Sequence, residues 1–137
     1  GPDYARAAEL LGRITQAASP AGAPLFAAWR AMDEPTDDKA LVLHRLNGLR
    51  ELRGGLHAGA ILAAGFAPLE AVMLASPYMA GIFGWPEPHP DSSVLQIAWE
   101  GAEDSTNVAF ARALACLSDE EQDELRSLCD AIVAAKV

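Results

Sequence analysis

The strongest pattern in the chain runs from Thr36 to Gly65. Leu41, Val42, Leu46, Leu49, Leu52, Leu56, Ala60 and Ala63 recur there at helical spacing and share one face. This predicts one long central helix over about residues 37–64. Thr36 is the expected N-cap, Asp37 and Asp38 place negative charge on the first turn, and Gly65 suits the left-handed C′ position. Gly48, Gly54, Gly55 and Gly59 lie inside this helix, each disfavoured by about 1 kcal/mol against alanine. Gly48, Gly55 and Gly59 fall close together on a helical wheel. That predicts either the close approach of another backbone or room for a ligand. Arg50, Arg53 and His57 form a polar stripe along the border of the apolar face. Arg45 points more nearly into that face and requires a partner, because an unpaired buried charge is strongly unfavourable.

The flanking segments also read as helices. Tyr4, Ala8, Leu11 and Ile14 or Thr15 mark a first helix over Asp3–Ala18. After a Pro- and Gly-rich turn at 19–24, a short helix starts near Pro24 and is expected to bury Leu25, Phe26, Trp29 and Met32. Pro68–Ala75 and a turn over Pro77–Phe83 follow. The alternating prolines of Trp85–Asp91 exclude a helix and predict a stiff connector with Trp85 plugged into the bundle. Ser93–Leu117 reads as a long helix, with Val94, Ile97, Ala98, Gly101, Val108 and Ala111 or Leu114 facing inward. Ser118-Asp119-Glu120-Glu121 is a capping box that opens a last helix, Asp119–Ala135. No stretch reads as a strand. The expected fold is all-α, a single bundle of about six helices around the long glycine-rich one. Residues 1–2 are expected to be a tag scar with upstream sequence missing, and residues 3–137 one domain.

Charge narrows the function. The 137-residue chain carries a net charge of −9 and a pI of about 4.6. That weighs against nucleic-acid binding by this chain alone and against docking on anionic membranes. No apolar run reaches the roughly 18 residues of a spanning helix, and no signal peptide is evident. The expected location is the cytoplasm. Cys116 and Cys129 do not form a metal-binding spacing and are expected as free, core-filling thiols.

Arg50-x-x-Arg53-Gly54-x-x-His57 resembles the signature of a bacterial, all-helical, helix-turn-helix-like family. The flanks agree: Ser19–Ala28 before it, and His57–Gly65 with Pro68-Leu69-Glu70-Ala71 after it. Glu103–Asn107, Leu117–Glu121 and Leu125 resemble the family's closing helices, which are similar to those of MarR-type regulators. The resemblance covers most of residues 5–135 and implies a helical, regulator-like fold that dimerises through its last two helices. Longer members have a further N-terminal helical region and a winged segment. Here Pro77–Asp91 takes the place of the wing, with no basic recognition helix.

Three functions are compatible with these residues. The first is a non-enzymatic module that binds a small, partly apolar anion with Arg50, Arg53, His57, Glu70, Tyr78 and Trp85. Arginine suits carboxylates and phosphates because its planar fork bonds two oxygens at once. The second is an enzyme with His57 as acid–base and the arginine pair holding an anionic substrate. The third is a structural interaction module, with the arginines paired to Glu70, Glu103 or Asp104 of neighbouring helices. His44, Glu51 and His57 do not share a face as metal ligands would, so neither a metal nor a cofactor is expected.

Overall fold

The computed structural model describes residues 1–135; residues 136 and 137, the expected end of the domain, lie outside it. The fold is all-α. Helices α1 (Tyr4–Ala17), α2 (Pro24–Arg30), α3 (Asp38–Ala63), α4 (Pro68–Ala75), α5 (Met79–Ile82), α6 (Gln96–Leu114) and α7 (Asp119–Ala134) follow one another, with one 3₁₀ turn at Ser93–Leu95. Helix α3 is the 26-residue centre and runs unbroken through Gly54-Gly55. Its N-cap is Asp37 rather than Thr36. The Asp37 carboxylate accepts a hydrogen bond from the Ala40 N–H at 2.9 Å, and its charge also complements the helix dipole. At the other end Gly65 has φ +86°, the Gly65 N–H donates to the Leu62 carbonyl, and the Phe66 N–H donates to the Ile61 carbonyl. This is a Schellman motif, and Phe66 packs with Ile61 as the motif requires.

The main core lies between α1, α2 and α3. Ala7, Leu10, Leu11 and Ile14 of α1 meet Phe26 of α2 and Val42, Leu49 and Leu52 of α3, with Leu117 closing one side. Helix α2 is anchored by Phe26 alone: Leu25 and Met32, expected inside, are exposed, and Trp29 is half-buried. Seven residues make too few turns to bury four large side chains on one face. The glycines of α3 divide by position. A Cβ on Gly55 would lie 2.8 Å from the Gly22 carbonyl oxygen, so the 19–23 turn rests directly on the α3 backbone there. Gly48 faces Trp29 and Phe26 at ordinary contact distance, while Gly54 and Gly59 face open space.

Arg45 finds the partner its position demands. Its Nε and Nη2 donate to the two oxygens of Glu34 at 2.8 and 2.6 Å, and Nη1 donates to the Ala8 carbonyl at 2.6 Å. The guanidinium crosses α1 at Gly12, where a Cβ would lie 2.8 Å from Cζ.

Helices α1 and α7 are clamped by a second arginine pair. Arg6 donates to both oxygens of Glu124 at 2.9 and 2.7 Å, and Arg13 pairs with Glu121 while also donating to the Cys116 carbonyl at 2.9 Å. Glu121 completes the predicted capping box with Ser118. The hydrogen bonds from Arg13 and Arg6 hold the carboxyls of Glu121 and Glu124 below the usual glutamate range. Both therefore titrate lower in the folded chain than in the unfolded one. Their contribution is complete above the ordinary value of about 4.3 and is lost as pH falls below it. We expect the thermal midpoint to drop more steeply below that pH in the native chain than in Glu121→Gln/Glu124→Gln, as read by circular dichroism at a series of pH values.

Helix α6 packs on α3 with a different face from the one its apolar residues suggest. Val94, Ile97 and Val108 are exposed, as are Ala98, Gly101 and Ala111. Of the expected residues Leu114 does pack on the core, and Leu95, Trp99, Ala102, Thr106, Phe110 and Ala113 face inward in place of the others. Trp85 is half-buried, stands edge-on to Phe83 with ring centroids 5.7 Å apart, and belongs to neither apolar cluster. It does not plug the bundle, because the one-turn helix α5 leaves it at the margin. Cys116 and Cys129 are free and half-buried. Burial pushes the Cys129 thiol up, which makes it a poor nucleophile.

Candidate functional site

The seam between α3 and α6 gathers the polar side chains. Arg53 donates through Nη2 to Glu103 Oε2 and to Asn107 Oδ1, both at 3.1 Å. One turn along, His57 Nδ1 lies 3.1 Å from Thr106 Oγ1, and Nε2 lies 3.4 Å from Glu103 Oε1. Thr106 is fully buried and donates its own proton to the Ala102 carbonyl at 2.8 Å. Its oxygen must therefore accept from His57, which fixes the proton on Nδ1. When the ring is protonated, Nε2 donates to Glu103. The imidazole edge also stands against Trp99, with centroids 5.4 Å apart and planes at 87°. Glu103 thus lies between Arg53 and His57 and offsets the Arg53 charge.

Of the six residues singled out from sequence, Arg53 and His57 are brought together. Arg50 projects outward, its side chain 79% exposed, and pairs with Glu51 at 3.2 Å. Glu70 folds back to accept from the Ala67 N–H at 2.8 Å and caps α4. Tyr78 is 73% exposed and Trp85 lies against Phe83. Trp99, Thr106 and Asn107 join the seam without having been singled out as site residues. The signal for two of them was positional, since Trp99, Glu103 and Thr106 recur at helical spacing along α6.

Beside His57 lies an open groove of about 310 Å³, walled by Ile61, Ala71, Val72, Ala75, Met79, Phe83 and Trp99. Its polar lining is limited to His57 and Ser76. Helix α4 supplies one wall because its mainly apolar sequence, PLEAVMLA, is half-exposed and has no fully buried residue. The chain bends by 117° between α3 and α4, across the four-residue link 64–67 that contains Gly65. Two helices at roughly 90–120° joined by a short glycine-containing turn have the geometry of a helix-turn-helix. No single helix among the described residues is long and apolar enough to cross a membrane.

Comparison with known proteins agrees with this geometry. The model of a helix-turn-helix family matches residues 1–100, which span α1 to the start of α6. No curated protein and no solved structure matches the chain. With the long helix, the sharp glycine turn and the short helix after it all inside the matched stretch, the chain belongs to this helix-turn-helix family.

Proposed function

We infer that the chain is a non-enzymatic, regulator-like helical domain that binds a small amphiphile. The apolar body of the ligand lies in the groove between α3, α4, α5 and α6, and its acid group meets the His57–Arg53 end. The observation that carries this reading is a carbon-lined groove with one titratable side chain, His57, on its wall. Pockets of this character, mostly apolar with a few placed polar groups, are the usual form of small-molecule sites. Glu103 offsets much of the positive charge, so affinity should come mainly from the apolar body. His57 Nδ1 is engaged with Thr106, and Nε2 lies 3.4 Å from Glu103, to which it can donate only when the ring is protonated. Helix α4 carries Glu70 and no Lys or Arg, unlike a helix that reads the phosphate-lined major groove.

Fluorescence of 1-anilinonaphthalene-8-sulfonate tests the groove. The native chain should enhance it saturably, and decanoate should displace the dye. Ala75→Phe places a ring across the exposed rim of the groove and should weaken dye binding about tenfold, the equivalent of about 1.4 kcal/mol. Unchanged binding in that variant, or no displacement by decanoate, contradicts the reading and leaves a structural interaction module.

The exposed face of α6 supports a second copy as partner. Ile97, Gly101 and Val108 share the exposed face of α6, and a Cβ on Gly101 would meet nothing within 4 Å. Antiparallel pairing about Gly101 would bury Ile97 and Val108 against the partner helix, with close backbone approach at the centre. A two-fold interface needs this kind of self-complementary patch. Light scattering coupled to size exclusion should give a dimer for the native chain and a monomer for Ile97→Lys. A native monomer at all concentrations refutes the pairing.

A further inference from the structure

A second cleft, of about 270 Å³, opens between α1, α2 and α3, on residues that the groove beside His57 does not use. Its lining combines Trp29, His44, Arg30 and the Arg45–Glu34 pair. Arg45 brings no free charge, because Glu34 takes it bidentately. Arg30 differs. Its Nη1 donates to the Ala18 carbonyl at 2.8 Å, its guanidinium sits 5.3 Å from the Phe26 ring centroid, and no carboxylate pairs with it among the described residues. Held by a carbonyl and a ring face, it keeps most of its five N–H donors available. His44 stands edge-on to Trp29, ring centroids 5.0 Å apart, and among the described residues its ring makes no hydrogen bond to a side chain or to backbone. In a chain of net charge −9, an oriented, uncompensated guanidinium beside a donor-capable imidazole and an indole face is a local exception.

We propose that this cleft binds a small planar monoanion, a carboxylate carried on an aromatic or conjugated ring. The carboxylate is held by Arg30 and His44, and the ring lies against the Trp29 indole. Volume sets the size: the cleft falls just below the roughly 300–1,000 Å³ of ordinary ligand pockets. Planarity follows from the indole. A flat ring can lay its face on the Trp29 ring, whereas a puckered ring of the same formula has no such face.

Benzoate is the probe, with cyclohexanecarboxylate and inorganic phosphate as comparators, in titration calorimetry of the whole chain. Benzoate should bind more tightly than either comparator. Arg30→Gln should weaken it about tenfold or more, the loss expected for a charge-assisted hydrogen bond. Trp29→Leu provides a variant that folds, because Trp29 is half-buried and outside the main apolar cluster, and it removes the indole face. It should weaken benzoate while leaving phosphate unchanged. Absence of benzoate binding, equal binding of phosphate, or indifference to both variants overturns the proposal. Ala75→Phe, which blocks the other groove, should leave benzoate binding intact, so the two sites fail or stand separately.

Discussion

Gly55→Ala should destabilise the protein by about 2–3 kcal/mol, although the same change raises intrinsic helix propensity by about 1 kcal/mol. The sign is set by what the new methyl meets. It would lie 2.7 Å from Ala23 Cβ, 2.8 Å from Ala23 Cα and 2.8 Å from the Gly22 carbonyl oxygen. Two of these are backbone atoms of a turn fixed by the Ala23 N–H donating to the Pro20 carbonyl and by Gly22 at φ +74°. No flexible side-chain end can give way, so α2 and α3 must separate and the packing around buried Phe26 loosens. Gly54→Ala is the control. It sits one residue earlier in the same helix and faces open space, so it should stabilise by up to about 1 kcal/mol. Urea denaturation of the two variants therefore gives opposite shifts from the native midpoint. Parallel shifts would mean that the turn does not rest on α3.

Arg45→Met should cost about 2 kcal/mol in the same measurement. The side chain is only 13% exposed and makes three charge-assisted hydrogen bonds, two to Glu34 and one to the Ala8 carbonyl. Methionine keeps the length and the packing but leaves that carbonyl without its donor and Glu34 without its counter-charge. The cost stays below the roughly 3–5 kcal/mol of a fully buried broken pair because Glu34, at 44% exposure, recovers water. Glu34→Gln should lose less on its own, and the double variant should lose less than the sum of the two singles. Additivity would show that the pair is not coupled.

These two predictions mark where the sequence was readable. A glycine-bearing helix with apolar residues at helical spacing can only be laid down one way, and its Gly65 end announces itself because a left-handed residue there closes two orphan carbonyls. Arg45 could be flagged for the same reason: its helical position puts it against apolar neighbours, and physics then demands a partner. Which partner, Glu34 from a loop, depends on tertiary placement and left no local mark. Helix α6 shows the opposite case. Counting apolar residues selects Val94, Ile97 and Val108, but the buried face holds Thr106, Ala102 and Trp99. A threonine whose hydroxyl is satisfied by the Ala102 carbonyl and the His57 ring can be buried at little cost, and a hydrophobicity pattern cannot see that satisfaction. Arg50 and Arg53 illustrate the same gap at the site. Three residues apart on one stripe, they diverge because Glu103 and Asn107 of α6 reach only Arg53. The start of α3 at Asp37 rather than Thr36 is the smallest difference, a choice between adjacent capping residues decided by the carboxylate.

The groove beside His57 is best tested by methyl NMR during titration with decanoate. Saturable shifts should concentrate on Ile61, Val72 and Met79, with the His57 ring protons moving in step, while the exposed Ile97 and Val108 methyls of α6 stay in place. Shifts spread evenly over every exposed apolar residue, or confined to α6, would contradict the assignment of a ligand site between α3 and α4.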